Sequence, residues 1–196
     1  LLALAAKNSG LCEELFKTHD EKPTNSFLYS LVMDTYSMGY NTSAYMDMPI
    51  NHKIFLAQFD TIKKLADQLG LEFSQTHPNF FNMFDPSVPD YEWNQEKVRR
   101  GIIGSGILGA KWAVFHIGTV YGEDGLPDDE ASFKANVEYL RPLLRLAKEN
   151  GVGLALENLG RDSYARTADN LIRLVDELGV DNVGICWDFG HANIMK

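Results

Sequence analysis

Four short apolar runs recur along the chain: "GLEFSQTH" (70–77), "AKWAVFHIG" (110–118), "GVGLALEN" (151–158) and "NVGICWDFGH" (182–191). They are too continuous for strands of a sheet with one wet face, and they predict strands covered on both sides. Helical patterns lie between them. In "HKIFLAQFDTIKKLADQLG" (52–70), Ile54, Phe55, Ile62, Leu65, Ala66 and Leu69 return at three- and four-residue spacing, and Gly70 closes the element. "NQEKVRRGIIGSGILGA" (94–110) is a weaker helix, because Gly101, Gly104 and Gly106 lower its propensity, but Val98, Ile102, Ile103 and Ile107 can face a sheet. "DDEASFKANVEYLRPLLRLAKENG" (128–151) has acids in its first turn, a stripe of Phe133, Val137, Leu140, Leu144 and Ala147, and a kink expected at Pro142. "TADNLIRLVDELG" (167–179) opens on Thr167 as N-cap and stops at Gly179. Strands alternating with helices make parallel βαβ units, so the fold class is α/β.

Polar residues stand where these runs end. His77, His116, Glu157 and Asp188 are separated by 39, 41 and 31 residues, each about one βα unit, which takes ~30 residues or more. In a closed parallel barrel successive strand ends converge on one rim, so four such side chains share a cavity. Two imidazoles and two carboxylates are a donor set that Zn, Mn, Co or Fe accepts. Taken singly, His77 before Pro78 reads as a strand-ending cap, His116 as a buried hydrogen-bonded histidine, Asp188 as a turn cap and His191 as packing. Glu157 resists that reading, because it ends a run that should be buried and a buried carboxylate without a partner is costly. The coincidence of four strand ends outweighs the separate structural readings.

Composition narrows the partners. At 196 residues and 45% hydrophobic, the protein is large enough to bury a core, and its length suits one domain. A net charge of −9 and the lack of a basic cluster disfavour nucleic acid. No apolar run reaches the ~18 residues of a membrane span, and "LLALAA" lacks the basic leader of a secretory signal. Cys12 and Cys186 are too far apart in sequence to suggest a disulfide framework, so a reducing cytoplasm is expected. The amino-terminal third is less patterned. "SFLYSLVMDTYSMGYNTSAYM" (26–46) suggests a helix to Met38, a turn at Gly39 and a strand over 40–46, and residues 1–25 suggest a broken helix and a loop without a first strand.

The series "FSQTH", "VFHIG", "GLALENL" and "VGICWDFGHAN" resembles the xylose isomerase-like TIM-barrel superfamily, whose members include sugar-phosphate isomerases and epimerases, ketose 3-epimerases, inosose dehydratases and endonuclease IV. Its most specific piece is Asp188-Phe189-Gly190-His191 after an apolar strand. The resemblance implies a single TIM (β/α)8 domain over 1–196 that is incomplete. About six βα units are expected, with 1–25 unassigned and the last strands, with a seventh-strand histidine and an eighth-strand glutamate, missing beyond Lys196. It implies that Glu157 and Asp188 hold a divalent ion (Mn, Co, Zn or Mg), with His77 and His116 completing a metal site or touching substrate, Glu157 doubling as catalytic base, and His191 binding a substrate oxygen. The implied activity is isomerisation or epimerisation of a sugar or sugar phosphate by proton transfer beside a carbonyl. An inosose dehydratase-type lyase, an endonuclease IV-like phosphodiester hydrolase and a non-catalytic truncated barrel are the alternatives. The expected partner is a small sugar or polyol, and a homo-oligomer is left open.

Loops at the same rim supply further candidates. "PNFFNMFDPSVPDYEW" (78–93) carries Phe80 and Trp93 as residues to stack on a sugar face under a lid, and an aromatic mini-core beneath a long loop is an equal reading. "NLGRDSYAR" (158–166) offers Arg161 and Arg166 as anion clamps, against solvated surface arginines as the stronger reading.

Overall fold

The structure, a computed structural model, describes residues 53–194. The elements expected within 1–46 lie outside the described residues, as do the side chains of Ile54 and Phe55. The described residues fall into two compact units, one holding those up to Phe73 with Ile107–Gly109 and the other holding the rest.

The first unit contains helix α1 (Lys53–Gln68). Ile62 and Ala66 of its expected stripe are buried, and Leu65 and Leu69 are half-buried. Gly70 adopts φ +66, a left-handed conformation that glycine takes without steric cost, and the Leu71 N–H then reaches back to the Ala66 carbonyl at 2.9 Å.

The remaining sequence runs β1 (Gln75–Thr76), α2 (Tyr91–Leu108), β2 (Trp112–Phe115), α3 (Asp129–Glu149), β3 (Gly153–Glu157), a 3-10 turn (Tyr164–Arg166), α4 (Ala168–Leu178), β4 (Val183–Cys186) and α5 (Phe189–Ile194). The four strands are parallel and hydrogen-bonded in sequence order, with Thr76, Ala113, Leu154 and Val183 in one row across the sheet. This is the expected α/β repeat. β1 is much shorter than the run 70–77, because β2 begins at Trp112 and Gln75 is the first residue of that run with a strand partner.

Burial follows the pairing. Every residue of β3 is buried, as a strand flanked by partners and helices requires. The expectation of two covered faces fails for β4. Ile185 is 40% exposed and so is Trp187, because among the described residues β4 pairs on one side only. The core joins Phe115, Leu154 and Leu156 of the sheet to Val98 and Ile102 of α2, Leu140 and Leu144 of α3, and Leu171 and Leu174 of α4. Each such side chain contributes about 1.5–3 kcal/mol on burial.

The helices show why local rules were broken. α2 begins at Tyr91, earlier than the apolar pattern suggests. Its glycines mark close approaches: a Cβ at Gly101 would sit 2.7 Å from Pro78 Cβ, and one at Gly106 would sit 2.4 Å from the Asn150 carbonyl oxygen. Helix propensity is given up there for contact between backbones. α3 is continuous across Pro142, whose missing N–H takes the helical donor from the carbonyl of Glu138, an exposed residue. Asp128 caps α3 by accepting from the Ala131 N–H at 3.0 Å, and Thr167 caps α4 as expected, accepting from Asn170 N–H at 3.2 Å. Among the described residues no helix is long and apolar enough to cross a membrane.

Candidate functional site

Parallel strands in register deliver their carboxyl ends to one rim, and the polar residues of the four runs sit there. His77 follows β1, His116 follows β2, Glu157 is the last residue of β3, and Asp188 stands two residues beyond β4. Glu157 is the hub. Its side chain is 8% exposed; Oε2 lies 2.8 Å from His116 Nε2 and 3.2 Å from His77 Nε2, and Oε1 lies 3.8 Å from His191 Nδ1. Two overlapping donor groups result, His77–His116–Glu157 and Glu157–Asp188–His191, each with ligand atoms within 4.8 Å of one another. The structure therefore brings together the four strand-end residues and His191.

The hydrogen-bond pattern bears on what this cluster can hold. His77 Nδ1 lies 3.0 Å from the Pro78 carbonyl oxygen, which only accepts, so a neutral ring that bonds there carries its proton on Nδ1. In the neutral ring Nε2 is then a lone pair facing a carboxylate oxygen. Two acceptors 3.2 Å apart attract only through a shared proton or cation. A ring whose distal N–H is anchored on a backbone carbonyl is also the usual support of a metal-ligating histidine. Burial pushes the His116 pKa down, the nearby His77 adds to this, and Glu157 opposes it. A neutral imidazole is the form that donates a lone pair to a metal. The residues present fit a divalent cation.

Asp188 serves locally as well. Its Oδ1 accepts from the His191 backbone N–H at 2.7 Å, and this bond is the main cause of a carboxyl pKa below the usual range. The turn-cap reading of Asp188 is thus also realised, and it aims the residue rather than competing with the cluster.

The rim residues divide differently. Phe80 is 62% exposed, with its ring centroid 4.6 Å from that of His116 and 5.9 Å from that of His77. It lies tilted against His116 and edge-on to His77. Trp93 is not presented in this way. It sits in the first turn of α2, 6% exposed, with the Arg100 guanidinium 5.0 Å from its ring centroid. The expectation that it stacks on a ligand gives way to a packing role, because the helix starts at Tyr91 and turns that ring inward. Arg161 is exposed on the loop after β3, four residues beyond Glu157. Arg166 is committed to a bidentate pair with Asp129 at 2.8 Å for both bonds, as a structural rather than a clamping arginine.

The aromatic loop is a small core. Met83 is buried, Phe81 and Phe84 pack on the main core, the Tyr91 hydroxyl donates to the Met83 carbonyl at 2.7 Å, and Asn82 binds both the N–H and the carbonyl of Thr119. These bonds fix the loop as a wall, with Phe80 on its outer side.

One residue of the site escaped the sequence reading. Asn158, 1% exposed, directly follows Glu157. Its side-chain oxygen accepts from Asp188 N–H at 2.5 Å, its amide donates to the Asp188 carbonyl at 2.9 Å, and its own carbonyl faces His191 Nδ1 at 2.7 Å. The available signal was a buried-looking amide at the end of a strand, where an unpaired polar group is costly.

Comparison with known proteins bears on the whole arrangement. The sequence profile described as "Xylose isomerase-like TIM barrel" matches residues 34–196. No curated protein matches the sequence. Among solved structures, a D-tagatose 3-epimerase-like protein is 24% identical with a TM-score of 0.59, over 70% of this chain and 52% of that one. An AP endonuclease, family 2, from Brucella melitensis is 17% identical with a TM-score of 0.55, over 70% and 56%. A xylose isomerase-like TIM barrel protein from Mycobacterium smegmatis, in complex with magnesium, is 19% identical with a TM-score of 0.51, over 80% and 63%. The chain spans about half the length of the first of these.

Proposed function

The chain belongs to the xylose isomerase-like TIM barrel family, and on that premise we propose that it carries the metal-and-base part of a sugar isomerase or epimerase centre. The observation that carries this reading is the buried Glu157 carboxylate, with a single oxygen facing the Nε2 atoms of both His77 and His116. His77, His116 and Glu157 would hold a divalent ion, with Asp188 on the neighbouring side of Glu157. Two nitrogen donors favour Mn, Co or Zn over Mg, which prefers oxygen. Once bound, such an ion polarises a sugar carbonyl and acidifies the adjacent carbon-bound proton.

The side chains supply the rest. Glu157 has a second oxygen, Oε1, on the Asp188 and His191 side, and takes the proton there as general base. His191 receives a substrate hydroxyl, and Phe80 stands beside the imidazoles and meets the apolar face of the sugar. The cytoplasm is the compartment this reading carries with it, and the substrate class is a small ketose or polyol. An inosose dehydratase-type lyase would use the same groups, so a substrate panel separates the two. The imidazole pair on one carboxylate also suits metal-assisted phosphodiester hydrolysis, but the net charge of −9 opposes a nucleic-acid groove. Salt-dependent binding to abasic duplex DNA would favour that second reading.

The test is exchange of carbon-bound protons. Ketoses and inososes incubated with the Mn-loaded protein in deuterated buffer should lose a proton resonance, and Glu157→Gln should abolish the loss. Exchange that survives in Glu157→Gln, or no exchange with any sugar, refutes the assignment.

A further inference from the structure

We infer that Asn158 is a positioning residue that sets the tautomer of His191. The Asn158 carbonyl oxygen can only accept, and it lies 2.7 Å from His191 Nδ1, so the neutral imidazole carries its proton on Nδ1 and leaves Nε2 bare. That carbonyl follows immediately after Glu157 and is held by the strand pairing that ends with Asn158 N–H donating to the Cys186 carbonyl at 3.4 Å. The opposite side is fixed by the Asn158 side chain. Its oxygen and its amide together close on the backbone N–H and carbonyl of Asp188, at 2.5 and 2.9 Å. Asp188 in turn binds the His191 N–H at 2.7 Å and accepts from the Ala192 N–H at 3.0 Å. One buried residue thereby ties the end of β3 to the turn that carries both Asp188 and His191.

The chemical consequence is specific. With Nδ1–H spent on a backbone carbonyl, a neutral His191 keeps an acceptor at Nε2 and has no free donor. It can take a proton from a substrate hydroxyl or give a lone pair to a cation, and it cannot ligate through Nδ1, although that is the atom 3.8 Å from Glu157 Oε1. Only this use of Nε2 rests on the proposed sugar and metal chemistry. The tautomer itself does not, and it is measured on metal-free protein.

Long-range proton–nitrogen correlation spectra of uniformly 15N-labelled protein at pH 8, above the ordinary imidazole pKa of about 6.5, read the tautomer directly, with His191→Gln assigning the signals. The expected wild-type pattern is a protonated Nδ1 and a bare Nε2. A wild-type His191 with Nε2 protonated, or with averaged tautomers, overturns the inference. In Asn158→Ala, with the wild-type circular dichroism spectrum, the His191 nitrogens should move toward an averaged mixture, and unchanged shifts would remove Asn158 from the positioning role. Asn158→Asp keeps an acceptor for Asp188 N–H but loses the donor to the Asp188 carbonyl. It should give an intermediate shift, and no shift in either variant counts against the role.

Discussion

Asn136 sits in the middle of α3 with no exposed surface, where an apolar residue would ordinarily serve. Its side-chain oxygen accepts from the Gly118 N–H at 3.0 Å, and its amide donates to the carbonyls of Gly118 and Ser132, both at 2.8 Å. Gly118 lies two residues past His116, so Asn136 ties the segment that carries one imidazole of the cluster to the helix behind it. In Asn136→Ala both backbone groups of the buried Gly118 lose their partner. A buried polar group left unsatisfied costs about 1–3 kcal/mol, so the pair costs roughly 2–6 kcal/mol. For a protein of this size that is roughly 4–24 °C in melting temperature, at about 2–4 °C per kcal/mol. Urea denaturation followed by circular dichroism measures it, with the exposed Lys134→Ala as a control expected within about 0.5 kcal/mol of wild type. Asn136→Asp keeps the bond to Gly118 N–H and loses both donations, so it too should destabilise. An Asn136→Ala variant within about 0.5 kcal/mol of wild type would show that Gly118 finds other partners.

Other perturbations test other parts of the account. Gly153→Ala should cost about 1–3 kcal/mol through overpacking, because its Cβ would meet the Trp112 ring at 2.4 Å; an unchanged urea midpoint would contradict that contact. His116 has a pKa below the ordinary imidazole value, so in mildly acidic solution the folded protein binds fewer protons than the unfolded one. The stability it contributes is complete above about pH 6.5 and falls as pH drops from there through the lowered folded value. The loss of stability between pH 7 and pH 5 should therefore be shallower in His116→Gln, and an identical slope would count against a buried neutral imidazole. Phe80→Ala should leave metal uptake at the wild-type level and raise the KM of any ketose turned over, whereas loss of metal would make Phe80 part of the metal centre.

Legibility in the sequence followed how local each signal is. The four strands, the capping of α4 by Thr167 and the meeting of His77, His116, Glu157 and Asp188 were readable, because the two-sided burial of a parallel strand writes a continuous apolar run and strand ends share a rim. The true length of β1 was not, since it depends on where β2 begins to pair. The exposure of Ile185 and Trp187 was hidden for a related reason: an apolar run does not record how many neighbours its strand has. Trp93 looked like a ligand-facing aromatic because the start of α2 is set by tertiary contact rather than by its apolar spacing. Asn158 was missed because its work is done through its own carbonyl and through the backbone of Asp188, a residue thirty positions away.

The central claim is that Glu157 and its imidazoles form a divalent-cation site, and elemental analysis of the purified, undialysed protein tests it most directly. The account predicts about one Mn, Co or Zn per molecule, lost when Glu157→Ala and Asp188→Ala are combined in a variant that keeps the wild-type fold. A wild-type protein without metal, even after incubation with these ions, or a double variant that retains its ion in full, would contradict it.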